Sequence, residues 1–217
     1  MSGRKEYLNT LRHDYSMSDL NREDLHSSAI KQFEQWFDEA VAQQVPDPNA
    51  MTVSTVSLDG MPSARIVLLR SFNEKGFVFY TNYNSHKGRD LSYSPKVCLS
   101  FFWPQLERQI RINGLAEKQT PEDSDAYFDM RPRGSRVGAW ASPQSQVIPS
   151  RETLQRSVEE VEARFGEDEV TRPPHWGGFL VRPISIEFWQ GRPSRLHDRF
   201  RYDVQSDGNW QIERLAP

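Results

Sequence analysis

Arg195, His197 and Arg199 occupy alternate positions in EFWQGRPSRLHDR, residues 187–199, shortly after Trp189 and Gly191. Residues two apart in an extended chain point the same way. The spacing therefore predicts three cationic or titratable heads on one side, with the Trp189 indole as a flat apolar wall beside them. Such a surface suits an anionic, planar ligand. A solvated, arginine-rich edge strand would carry the same letters. Asp198 should face the other way and support the backbone.

Three further sets carry related chemistry. RIVLLR, residues 65–70, reads as a buried strand with a fixed charge at each end, Arg65 and Arg70. Buried guanidiniums without an anion are costly, so these two either sit at the strand's rims or meet phosphates. Their odd separation puts them on opposite faces of an ideal strand, which requires two anions or a bulge. Lys87 follows Ser85 and His86 at a predicted helix start, where backbone donors suit a phosphate; a solvated lysine is the alternative. Tyr127, Arg131 and Ser135 straddle a helix end and a glycine turn. They are suitable donors for a terminal phosphate, although RPRG also fits an ordinary basic turn. Gln144 and Ser145, in the same loop, are uncharged donors able to read the edge of a heterocycle.

Composition narrows the chemistry. With 27 Lys and Arg against 30 Asp and Glu, the net charge of -3 argues against a generic nucleic-acid binder, so clustered cations need a local reason. Cys98 is the only cysteine, which excludes an internal disulfide and fits a reducing compartment; KVCLSFF reads as a buried setting for it. The polar N-terminus and the lack of any long apolar run point to a soluble, cytoplasmic protein. Five scattered histidines and one cysteine offer no zinc spacing, and no GxGxxG, Walker or GxSxG motif occurs. Phosphates must then be gripped by side chains, and a borrowed organic cofactor is the economical source of reactivity.

The elements that would position these groups are mainly strands. At 217 residues a single well-buried domain is expected, preceded by a charged, aperiodic, mobile arm over residues 1–26. Helices are predicted from Ser28 to before Pro46, from Ser85 to before Pro95, from Thr120 to about Met130, and around Leu154, Val158, Val161 and Phe165 up to Gly166. Strands are predicted over residues 51–58, 63–72, 77–81, 96–103, 107–118, 179–189, 199–204 and 210–215, with Asp59-Gly60 as a hairpin turn. Residues 131–149 are too rich in Gly, Pro and Ser for a core element. Strands joined by short turns imply an antiparallel sheet, and their number suggests a closed barrel.

Together, RIVLLR, FVFYTN, RPRGSRVGAW, EFWQG and RLHDR resemble the pyridoxine (pyridoxamine) 5′-phosphate oxidase family, over nearly the whole chain. The resemblance implies an α+β, mainly β fold, the antiparallel split β-barrel of the FMN-binding type, over residues 27–217. It also implies a homodimer with FMN at the subunit interface, and oxidation of pyridoxine or pyridoxamine 5′-phosphate to pyridoxal 5′-phosphate with O2 reduced to H2O2. FMN would be held by Arg65, Ile66, Val67, Leu68, Leu69, Arg70, Tyr80, Thr81, His86, Lys87, Gln109, Gln144, Ser145, Trp189 and Arg199. The substrate would meet Arg70, Tyr127, Arg131, Ser135, Arg195 and His197, with Arg12 and Tyr15 closing over it, and Arg195 and His197 orienting the reacting carbon. Arg65 would thus serve the flavin phosphate and Arg70 the substrate phosphate. Arg70 stands where the family often has lysine, and His86 where Arg or Lys is frequent. A nicotinamide-dependent flavin reductase and a non-enzymatic pyridoxal phosphate binder are the competing readings.

Overall fold

The computed structural model describes residues 2–11 and 14–217; Arg12, expected to close over the substrate, lies outside them. The chain forms two compact units, one of residues 1–48, 100–112 and 185–217 and the other of residues 49–99 and 113–184.

The first unit contains α1 (Ser2–Thr10) and α2 (Ala29–Ala42). Ser28 caps α2 by accepting from Lys31 N, and Ala29, Ile30, Phe33, Trp36 and Ala40 form its buried face. Rings build this core: Phe33 meets Phe101 at 5.3 Å, Trp36 meets Phe188 at 5.2 Å, and Phe188 meets Tyr202 at 5.3 Å.

The second unit holds the hairpin β1 (Ala50–Val56) and β2 (Pro62–Leu68), in which Thr55 lies opposite Ser63. Gly60 takes the positive φ of 83° that the intervening turn requires. There follow β3 (Ser71–Asn73), β4 (Gly76–Asn82) and α3 (His86–Tyr93), capped by Ser85. Next in the chain are β5 (Lys96–Trp103), β6 (Arg108–Lys118), α4 (Pro121–Asp129), α5 (Arg133–Ala141), α6 (Arg151–Phe165) and β7 (Trp176–Gln190). By sequence, β5, β6 and β7 each contribute to both units. In the first unit, β7 continues to β8 (Asp198–Val204) and β9 (Trp210–Arg214).

The mainly antiparallel sheet runs in the order β2-β1-β5-β6-β7-β4-β3. That path is open, with β2 and β3 at its ends, so the closed barrel is not formed. Three more expectations fail for identifiable reasons. Residues 133–141 form a helix despite Gly134 and Gly138, each costing about 1 kcal/mol relative to alanine. Tertiary contacts outweigh that cost: Val137 and Ala141 are buried, Trp140 meets Phe165 at 5.7 Å, and Arg133 donates to the carbonyls of Gly166 at 2.6 Å and Asp168 at 2.8 Å. RIVLLR is not a buried strand, because β2 ends the sheet and Ile66 is 66% exposed. Cys98, on β5, is only half-buried.

The alternation expected of Arg195, His197 and Arg199 is also broken. Residues Pro193–Arg195 form a 3-10 turn in which Ser194 and Arg195 have φ of 55° and 62°. This left-handed conformation is costly for side-chain-bearing residues. The chain becomes extended only at Asp198, so Arg199 alone of the three lies on a strand.

Candidate active site

A cavity of about 820 Å³ lies within the second unit, in the size range of small-molecule sites. β2 and the residues just after it contribute Arg65, Ile66, Val67, Leu68 and Arg70; β4 gives Tyr80, Thr81 and Asn82, and α3 gives His86 and Lys87. Tyr127, Arg131, Ser135, Gln144 and Ser145 complete the expected set, and Gly138, Ala139, Ser142 and Trp176 also line the wall. Leu69 does not line it; that side chain is 4% exposed. Arg65 and Arg70 border the same cavity despite their odd spacing, because β2 stops at Leu68. The next two amides bond elsewhere, Leu69 N to Asn49 O and Arg70 N to Val78 O, each at 2.8 Å.

Four permanent or near-permanent cations face this space without a carboxylate at ion-pair distance among the described residues. Arg65 is held by neutral acceptors: Nη1 donates to Thr55 Oγ1 at 2.7 Å and to the carbonyls of Val53 and Ser63, and Nη2 donates to Ser63 Oγ at 2.6 Å. Burial pulls the Arg65 pKa down, opposed by the charge of Asp90. Lys87 is 7% exposed and donates to Thr81 Oγ1 at 3.0 Å, Gln144 Oε1 at 3.3 Å and Ser85 Oγ at 3.4 Å. Burial, reinforced by Arg65, brings its pKa down to about 8. Arg131 has a buried Nη1 with no hydrogen-bond partner. Burial lowers its pKa too, with Tyr127 opposing and Arg70 adding to the fall. Arg70 lies 5.9 Å from the Tyr127 ring. His86 is the exception, with Nε2 at 3.6 Å from Asp90 Oδ1.

An aromatic stack flanks the cations. Tyr80 and Tyr127 are 3.9 Å apart and nearly parallel at 12°, and Trp176 lies 5.4 Å from Tyr80 at 14°. Arg131 sits 4.5 Å from the Trp176 centroid, a cation–π contact. Gly178 makes room for the stack: a Cβ there would come within 2.8 Å of Tyr80 Cε1. Burial raises the Tyr80 pKa, so its hydroxyl stays protonated near neutrality.

The remaining expected residues belong to the first unit. Trp189 and His197 are 4.5 Å apart, and Tyr15 stands edge-on to both at 5.6 and 5.9 Å. Gly191 admits Tyr15, since a Cβ there would approach the tyrosine Cβ to 2.7 Å. Arg192 N donates to His197 Nδ1 at 3.0 Å, which places the proton of the neutral ring on Nε2. Burial, then Arg195 and Arg199, lower the His197 pKa and keep the ring neutral. Arg199, opposite Trp189 on the neighbouring strand, donates from Nε to Glu187 Oε1 at 2.9 Å and from Nη1 to Ala216 O at 2.6 Å. Arg111 holds the other Glu187 oxygen. Burial alone would raise the Glu187 pKa, but the two arginines together hold it low. Asp198 accepts from Leu20 N at 3.2 Å and pairs with Arg214 at 2.6 Å, supporting the backbone. Arg195 is exposed and Gln109 half-buried.

Sequence reasoning missed Asn82, Gly138, Ala139, Ser142 and Trp176. Trp176 carried the clearest signal, a large ring followed by Gly177 and Gly178, which mark close approach by other groups.

Residues 37–165 match the pyridoxamine 5′-phosphate oxidase family, and residues 176–217 match the pyridoxine 5′-phosphate oxidase C-terminal dimerisation region. A pyridoxine/pyridoxamine 5′-phosphate oxidase of Cupriavidus pinatubonensis is 54% identical over 207 residues, covering 95% of this chain and 97% of that protein. Among solved structures, PhzG from Burkholderia lata, in complex with tetrahydrophenazine-1-carboxylic acid, gives a TM-score of 0.87 at 27% identity, over 94% of this chain and 100% of that one. A pyridoxamine 5′-phosphate oxidase-related, FMN binding protein from Nostoc punctiforme shares the fold, with a TM-score of 0.69 at 17% identity over 89% of this chain and 100% of its own.

Proposed function

From the premise that the chain belongs to the pyridoxamine 5′-phosphate oxidase family, we propose that it oxidises pyridoxamine or pyridoxine 5′-phosphate to pyridoxal 5′-phosphate, using FMN and reducing O2 to H2O2. The observation that carries this reading is the set Arg65, Arg70, Lys87 and Arg131, four cations around one cavity with no carboxylate at ion-pair distance among the described residues. Bound anions would supply the direct counter-charge that the cavity's described residues do not. The donor set fits FMN and a second phosphate: buried Lys87 has only neutral acceptors, and Arg131 Nη1 has none.

Bound FMN would supply the hydride-accepting ring. Arg65 and Lys87 hold its phosphate through charge-assisted bonds, with His86 at the same helix start and Thr81, Gln144 and Ser145 offering neutral donors and acceptors. Arg70, Tyr127, Arg131 and Ser135 hold the substrate phosphate. Trp189, Gln109 and Arg199 serve the flavin; Arg195 and His197 orient the substrate ring so that its reacting carbon faces the acceptor, and Tyr15 helps to cover it. Such positioning supplies much of the rate. Arg195 cannot act as a base. His197 Nδ1 already accepts from Arg192 N, so Nε2 is the nitrogen left to meet the substrate, as a donor. Orientation is therefore its stronger role. In this reading residues 27–217 act as one FMN-binding domain, residues 1–26 as an arm carrying Tyr15, and the chain works as a homodimer with FMN at the subunit interface.

The test is oxygen consumption by the purified, FMN-loaded protein supplied with pyridoxamine 5′-phosphate. Uptake of O2 with formation of H2O2 and pyridoxal 5′-phosphate is expected. No uptake, alongside oxidation of a reduced nicotinamide, would replace this reading with a reductase.

A further inference from the structure

Asp90 lies on α3, is 4% exposed and is not among the groups assigned above to either ligand. Its Oδ2 accepts from Thr55 Oγ1 at 2.6 Å and from Ser63 Oγ at 3.4 Å. Those hydroxyls, on cross-strand partners, are the ones that accept from Arg65 Nη1 and Nη2 at 2.7 and 2.6 Å. A hydroxyl carries one proton. With that proton directed at Asp90, its lone pairs are turned toward Arg65. The carboxylate thus sets the polarity of the Thr55 relay at 2.6 Å and, more loosely, that of Ser63, whose Oγ is 3.4 Å from both Asp90 Oδ2 and Thr55 Oγ1, without touching the guanidinium.

The indirect arrangement has a consequence for binding. A carboxylate bonded directly to Arg65 would take up the two-pronged edge that grips a phosphate. Here Nη1 and one Nη2 proton are committed to protein acceptors, while Nε–H and the second Nη2–H have no acceptor among the described residues. His86 approaches the other carboxylate oxygen, Oδ1, at 3.6 Å and leaves Oδ2 to the hydroxyls.

We propose that Asp90 is a positioning residue that acts through Thr55 and Ser63 to fix the anion-binding edge of Arg65, and so sets the preference for a phosphorylated over an unphosphorylated flavin. The inference rests on the FMN reading above. Asp90→Asn keeps the shape but lets either hydroxyl reverse. FMN binding should weaken by about tenfold, the size of one hydrogen bond to a charged group, while riboflavin binding changes by less than about twofold.

The experiment titrates the apoprotein with FMN and, separately, riboflavin, read by flavin fluorescence. It compares wild type, Asp90→Asn, the pair Thr55→Val with Ser63→Ala, and the triple variant. An FMN-specific loss in Asp90→Asn, equalled by the hydroxyl pair and not deepened in the triple variant, supports the proposal. Equal weakening of both flavins marks Asp90 as merely structural and overturns it, as does an unchanged FMN-to-riboflavin ratio. A full additional loss in the triple variant rules out the hydroxyl relay. Should Asp90→Asn fail to fold, the hydroxyl pair carries the same FMN-specific prediction, and its absence overturns the proposal. Equal wild-type affinity for the two flavins would defeat the FMN reading itself.

Discussion

Around the cavity of the second unit, Arg65, Arg70, Lys87 and Arg131 rely on neutral acceptors, rings or nothing. In the first unit Arg108 pairs with Glu39, Arg111 and Arg199 share Glu187, and Arg214 pairs with Asp198. The difference belongs to the cavity rather than to the unit, because Arg133, Arg172 and Arg182 outside it are paired with Glu162, Asp125 and Glu117. A desolvated cation without a counter-charge opposes folding, whereas removing one partner of an existing pair leaves a charge stranded. Unpaired cations therefore mark binding and paired ones mark architecture. Arg199 crosses the two classes: assigned to the flavin, it is held by Glu187 and Ala216 O, which makes it a group fixed before the ligand arrives.

The largest effect should come from Arg131→Met. Loss of a hydrogen bond to a charged group is worth about 1.5–3 kcal/mol, so KM for pyridoxamine 5′-phosphate should rise roughly 10- to 100-fold. Steady-state kinetics would show it, and unphosphorylated pyridoxamine should be affected little. An equal loss on both substrates would break the assignment of Arg131 to the phosphate.

Lys87→Met should lower FMN affinity by about tenfold near neutral pH. Because burial has brought the Lys87 pKa down to about 8 from an ordinary 10.5, the wild-type affinity should also decline as pH rises through 8, and the variant should lose that dependence. The sign for the ligand-free protein is opposite. Between about 8 and 10.5 the unfolded chain binds more protons at this lysine than the folded one, so its penalty shrinks and stability rises with pH. Binding and denaturation measured over the same pH range separate the two trends.

On the paired side, Glu187→Gln should destabilise the protein by about 1–2 kcal/mol, roughly 2–8 °C for a chain of this size, after discounting for the half-exposed Arg111. Thermal unfolding would measure it. A variant as stable as wild type would blur the contrast between the two groups.

The smallest effect concerns His197. Its pKa is lowered from 6.5, so its neutral form prevails above that value, and any stability tied to that form is lost as pH falls below 6.5 toward the depressed pKa. A kcat profile flat from pH 6.5 to 8 is expected of this group. A limb above pH 6.5 that disappears in His197→Asn would contradict the orienting role.

Much of this contrast was legible in the residues. Ser28, Ser85 and Thr120 announced helix starts because a capping hydroxyl is a local device, and the phosphate-seeking types Arg65, Lys87 and Arg131 stood out by chemistry. Long-range causes stayed hidden. The helix Arg133–Ala141 depends on burial of Val137 and Ala141, which composition cannot display. The odd spacing of Arg65 and Arg70 ceased to matter once β2 ended at Leu68. Arg195 escaped the alternation rule through a left-handed turn at Ser194 and Arg195. Whether a cation has a carboxylate partner depends on residues far apart in sequence, such as Arg111 and Glu187.

The central claim, that the cavity's cations are kept for phosphate rather than for folding, is tested most directly by the melting temperature of Lys87→Met beside wild type, with and without FMN. Saturation at about 100 times Kd stabilises by about 2.7 kcal/mol, so wild type should gain roughly 5–11 °C. The account predicts a ligand-free variant at least as stable as wild type, with roughly half the gain from the same FMN concentration, as a tenfold weaker Kd requires. A ligand-free variant that melts several degrees lower yet gains as much from FMN would contradict it.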